Sequence, residues 1–173
     1  MKRRVGFWTP FLLALASGAC GYHVAGHANA LPPSIQTIAV PAFGNVTVQY
    51  KIASHISAAV TRELIERTRY RIVADPEGAD AVLSGSVVNF NSYPTTFDSA
   101  TGRASGVQVI VQLRLTLRDK QGKVLFERPN FEVHERYEIA VDPNAYFDES
   151  AGAIDRLSRD VAQSVVSGIL ENF

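Results

Sequence analysis

Residues 107–118 read VQVIVQLRLTLR. Val107, Val109, Val111, Leu113, Leu115 and Leu117 take the odd positions, and Gln108, Ile110, Gln112, Arg114, Thr116 and Arg118 the even ones. Successive side chains of a strand point to opposite faces, so this period of two sorts apolar residues to one face and mostly polar residues to the other. A helix would repeat its apolar positions every three to four residues instead. A strand that is apolar on one face belongs to an antiparallel sheet covered on one side.

The neighbouring segments extend that sheet. Asp119-Lys120-Gln121-Gly122 predicts a hairpin turn, and the next strand starts at Lys123 with Val124 and Phe126 on its apolar parity. After Arg128-Pro129-Asn130 the parity changes to Phe131, Val133, Tyr137 and Ile139. A one-residue change of face is what a β-bulge produces, and Pro129 removes a ladder donor there. Upstream, residues 94–105 read as a polar loop containing Gly102 and Arg103. Residues 81–93 (AVLSGSVVNFNSY) read as a strand with small residues Ser84, Gly85 and Ser86 at its middle. Residues 35–43 (IQTIAVPAF) are β-prone up to Pro41, and Gly44-Asn45 marks a turn. Residues 70–73 are short and apolar before the Asp75-Pro76-Glu77-Gly78 turn.

Two segments have the helical period. In residues 50–67, Ile52, Ile56, Val60 and Leu64 recur every four residues. After Asp142-Pro143-Asn144, Ile154, Leu157, Val161, Val165 and Ile169 form a second stripe. Stacking both stripes on the apolar sheet face buries every one of them. The expected fold is therefore α+β: a two-layer sandwich with two helices packed on one face of a mostly antiparallel four-stranded sheet.

The N-terminus is of another kind. Lys2, Arg3 and Arg4 precede an apolar run of about a dozen residues, 5–16, and then Ser17-Gly18-Ala19. Charge, apolar core and small residues in that order make an export signal, here residues 1–19. The run is too short to cross a bilayer as a helix, which takes ~20 residues. Cys20 follows at once and is the only cysteine, so no intramolecular disulfide is available. Its position identifies it as the acylation site of a lipoprotein, although Ser17 stands where the lipobox usually has Leu. Residues 20–33 (CGYHVAGHANALPP) read as a lipidated tether, leaving residues 34–173 as one domain. Loss of Lys2, Arg3 and Arg4 leaves 14 basic against 17 acidic residues, a net charge of −3. That balance gives no electrostatic case for nucleic-acid binding.

No catalytic constellation stands out: there is no G-x-S-x-G elbow, phosphate loop or paired-cysteine metal site. His23 and His27 lie in the tether, where nothing holds them as metal ligands. His55 reads as an edge-of-core helix residue, and His134 as a solvated cross-strand partner between Glu132 and Arg136. The chain is thus expected to be no enzyme, with no metal and no cofactor beyond the lipid on Cys20.

Cys20, Gly21, Tyr22, His23 and Gly26, followed by Leu31, Pro32, Ile35, Ile38, Val40 and Phe43, resemble the opening of the LptE family of lipopolysaccharide-assembly lipoproteins. The motif covers some 25 residues; beyond it the likeness is one of element order and length. The resemblance implies two helices on a four-stranded sheet and a place inside the LptD outer-membrane β-barrel as a plug. It further implies help in assembling that barrel, lipopolysaccharide as a ligand, and a lipid-anchored site on the periplasmic face of the outer membrane. For the phosphates of that ligand the candidate cations are Arg118, Lys120 and Lys123 around the hairpin turn, and Arg103 in the preceding loop. Such charges also serve as ordinary solubilising residues at a loop tip. The other class of function open to the sequence is a periplasmic accessory lipoprotein of an inner-membrane transporter, or a similar envelope adaptor.

Overall fold

A computed structural model describes residues 31–139 and 143–171. The export segment, Cys20, His23 and His27 lie outside the described residues. The elements run β1 (Thr37–Ala39), β2 (Gly44–Asn45), α1 (Ile52–Arg67), β3 (Arg71–Val73), β4 (Ala81–Phe97), β5 (Ala104–Asp119), β6 (Val124–Glu138) and α2 (Pro143–Glu171).

The sheet has six strands and is mixed, which corrects the expectation of four mostly antiparallel strands. The order is β3-β1-β4-β5-β6, with β2 also on β4. The long strands β4, β5 and β6 pair antiparallel, as their alternation requires. The short segments are the source of the difference. β1, β2 and β3 have two or three residues each, too few to show a period of two. β1 pairs parallel with both β3 and β4, and β2 pairs parallel with β4. α1 is the crossover that parallel pairing needs between the β1–β2 segment and β3. Half of the segment expected as the 94–105 loop is strand: β4 runs to Phe97 and β5 begins at Ala104.

Both helices cover one sheet face. Ile52, Ile56, Val60 and Leu64 of α1 and Leu157, Val161, Val165 and Ile169 of α2 are buried with the odd-numbered residues of β5. The helices lie side by side and in the same direction, since His55 meets Asp155 and Arg67 meets Ser167. The expectation of a core-edge His55 is thereby corrected, because its imidazole is 42% exposed and links helix to helix. Leu31 is only 3% exposed, so the packed unit takes in the last residues of the segment read as tether.

Two bulges bend β6. Leu117 pairs with Phe126 but Arg118 with Val124, which leaves Leu125 extra. Leu113 pairs with Phe131 but Leu115 with Arg128, which leaves one extra residue in the Pro129-Asn130 stretch. The second bulge is where the parity change predicts it. The first moves Val124, expected on the core side, to the outer face, where it is 39% exposed, and buries Leu125.

Candidate interaction face

No described element packs on the opposite face of β4, β5 and β6. Its residues are set by register. Asn89, Gln112 and Glu132 lie in one row across three strands, and Asn91, Ile110 and His134 in the next. Side chains connect these rows. Asn89 Nδ2 donates to Gln112 Oε1 at 3.4 Å, and Gln112 Nε2 to Glu132 Oε2 at 2.6 Å. His134 Nε2 lies 2.6 Å from the other Glu132 oxygen, and its Nδ1 lies 3.1 Å from Gln108 Nε2. An imidazole that donates through Nε2 and accepts at Nδ1 satisfies both contacts. The Gln112 amide foremost, and His134 after it, hold the Glu132 carboxyl below its ordinary range.

The same face carries isolated charge. Arg114 is exposed and its guanidinium has no hydrogen-bond or ion-pair partner among the described residues. Thr116 lies opposite Glu127, and Arg118 opposite Val124. The face is mostly polar. Among the described residues, no three His, Cys, Asp or Glu side chains are grouped to hold a metal ion, and no helix is long and apolar enough to cross a membrane.

The four candidate phosphate-binding cations divide into two groups. Arg118, Lys120 and Lys123 surround the β5–β6 turn, which Gly122 closes with a φ of 85°, a conformation glycine adopts without strain. Asp119 Oδ1 accepts the amides of Gln121 and Lys123, both at 2.9 Å. Arg118 Nη1 donates to the Gly122 carbonyl at 3.2 Å, and Lys120 Nζ lies 3.8 Å from Asp80 Oδ1. At this tip Lys123 is the cation whose side chain has no partner among the described residues. Arg103 is at the other end of β5, beyond the turn that Asp98 builds by accepting from Thr101 and Ala100. With a rise of ~3.3 Å per residue, the ends of β5 are roughly 50 Å apart, so Arg103 shares no site with the other three.

Asp80 is a residue that the pattern of the sequence does not single out. Its Oδ2 accepts the amides of Gln36 and Thr37, both at 3.0 Å, and its carbonyl accepts Lys120 N at 3.0 Å. The Gln36 and Thr37 amides, with Lys120, hold its carboxyl below the usual range against a small opposing effect of burial. It fastens β1 and the β5–β6 tip to the start of β4. Its sequence context, one residue before the first strand residue, is also that of any loop aspartate.

This architecture defines a class: a two-layer α/β domain with one sheet face under helices and the other bare and polar. A family model described as lipopolysaccharide-assembly, LptE, matches residues 35–169, and the chain belongs to that family. Membership places it among the lipopolysaccharide-assembly lipoproteins, as the N-terminal motif implies. Solved structures share the fold. Rare lipoprotein B from Shewanella oneidensis superposes with a TM-score of 0.56 at 12% identity, over 79% of this chain and 95% of that one. A putative lipoprotein from Caulobacter crescentus gives 0.54 at 15%, over 75% and 88%. A PelC dodecamer subunit from Paraburkholderia phytofirmans gives 0.51 at 18%, over 83% and 92%. Among curated proteins, none matches the chain in sequence.

Proposed function

We propose that this chain is a lipid-anchored, non-catalytic subunit of an outer-membrane lipopolysaccharide-insertion complex, seated through its bare sheet face against the polar lumen of an LptD-type β-barrel. The observation that carries this reading is the row of cross-strand hydrogen bonds from Asn89 through Gln112 and Glu132 to His134 and Gln108. A large barrel has a polar interior, and a pre-ordered polar surface loses little side-chain freedom on docking there. Acylation of Cys20 supplies the anchor; two or more chains bind durably where one does not. Residues 21–30 then leave the domain within reach of a barrel in the same membrane. Arg118, Lys120 and Lys123, with Arg103 at the far end, are the side chains offered to lipopolysaccharide phosphates.

The decisive experiment is isolation of the tagged, acylated chain from native membranes in mild detergent. A stoichiometric β-barrel partner is expected. Recovery of the acylated protein alone, or with an inner-membrane transporter, overturns the reading.

A further inference from the structure

An open cleft of about 610 Å³ lies where the N-terminal segment enters the domain. Leu31, Pro32, Pro33 and Ile35 form one wall, and Arg69, Tyr70 and Arg71 the other. The cleft is built, not incidental. Ile35 N donates to the Pro32 carbonyl at 2.9 Å, which closes the 32–35 turn, and Arg71 N donates to the Gln36 carbonyl at 2.9 Å, which fixes the two walls to each other.

Its chemistry is unbalanced. Arg69 and Arg71 are both exposed, and neither guanidinium has a hydrogen-bond or ion-pair partner among the described residues. Two residues apart at the entry to β3, both line the cleft. Tyr70 lines the cleft between them, and its buried hydroxyl has no hydrogen-bond partner among the described residues. The carboxylate of Asp80, which accepts the amides of the cleft residues Gln36 and Thr37, is already engaged by them and by Lys120. Two guanidiniums without partners among the described residues, beside a wall whose accessible apolar surface is that of Pro32 and Pro33, match a phosphate head carried next to apolar groups, because guanidinium forks suit phosphate oxygens.

We propose that the Arg69–Arg71 cleft binds the phosphate-bearing headgroup of a glycerophospholipid in the leaflet that holds the anchor. The phosphate ligand follows from the cleft alone; its membrane source rests on reading the chain as a tethered lipoprotein. None of Arg103, Arg118, Lys120 and Lys123 lines it. Leu31 is eleven steps along the chain from Cys20, which limits the anchor-to-cleft distance to about 40 Å and keeps the cleft near the lipid surface.

The test uses the mature chain carrying Cys20→Ser, so that no acyl anchor contributes. Flotation with vesicles of phosphatidylcholine, with and without phosphatidylglycerol, is compared with binding of glycerol 3-phosphate and inorganic phosphate followed by NMR. Binding to the anionic vesicles is expected to fall roughly 30-fold in Arg69→Gln/Arg71→Gln. It should hold in Arg62→Gln/Arg159→Gln, which removes the same charge from exposed helix positions. Retained shifts at Tyr70 with glycerol 3-phosphate but no vesicle preference would keep the phosphate site and assign it to a soluble phosphoester. Equal losses in both double variants, or no loss in either, overturn the site. Because the chain is unacylated and no barrel is present, failure here leaves the barrel complex untouched, and the converse also holds.

Discussion

The ring of Phe43 lies flat against Gly85, so close that a Cβ on Gly85 would stand 2.6 Å from its ring carbons. Phe43 is 7% exposed and belongs to the core. The small triplet Ser84-Gly85-Ser86 thus makes room for an aromatic side chain of the β1–β2 segment at the middle of β4, where β2 then pairs with Ser86 and Val87. Gly85→Ala should cost about 1–3 kcal/mol by overpacking. Urea denaturation measures it. Adding Phe43→Leu should recover part of the loss, and additive losses in the double variant would show that the two side chains do not meet.

Asp80 should make stability depend on acid. Its carboxyl titrates below the ordinary aspartate value of 3.8 because the charged form accepts the Gln36 and Thr37 amides and faces Lys120. A group whose pKa is depressed by folding stabilises the fold above its unfolded value and loses that contribution as pH falls through the folded one. Asp80→Asn should therefore lower the urea midpoint at pH 6, and the gap to the parent should close as pH drops below about 3.8. A gap that stays constant down to pH 2.5 would mean that the charge of Asp80 is not what holds β1.

The outer face depended on details that periodicity only half discloses. Alternation over 107–118 places Gln108, Gln112, Arg114, Thr116 and Arg118 on one face, and they are there. Which residue each meets on β6 is another matter. Counted without bulges from the Arg118–Val124 pair, Gln112 would meet Asn130; the two bulges carry it to Glu132 instead. One bulge was legible, because Pro129 and the change of parity mark it. The other, at Leu125, was not, since an apolar residue in an apolar run gives no sign of which face it takes. The short strands were hidden for a similar reason. Two or three residues have no period, and β1 and β3 exist through pairing with distant partners. The Arg69–Arg71 cleft depends on the same pairing.

Glu132 offers a check on the network. Its carboxyl is held below the normal range first by the Gln112 amide and then by His134. Gln112→Ala should raise its titration midpoint, read from the carboxyl carbon in an NMR titration. Stability should change by about 1 kcal/mol at most, as expected for loss of a side-chain hydrogen bond at a half-buried position. An unmoved midpoint would mean that Gln112 does not engage Glu132 in solution.

The face and the tip can be separated by their consequences. Under the proposed function, Arg114 and Gln112 lie against the barrel wall, whereas Lys123 projects at the hairpin tip toward the lipid ligand. Arg114→Glu should abolish recovery of the barrel partner without shifting the melting temperature, because this exposed side chain has no partner among the described residues and does not reach the core. Lys123→Gln should leave barrel recovery intact and weaken lipopolysaccharide binding several-fold, the loss expected for one charge-assisted contact to a phosphate. Lys120→Gln is the less clean probe, because Lys120 also faces Asp80. If the face variant keeps its barrel while the tip variant loses it, the orientation proposed for the plug is inverted, and the hairpin end is the surface that docks.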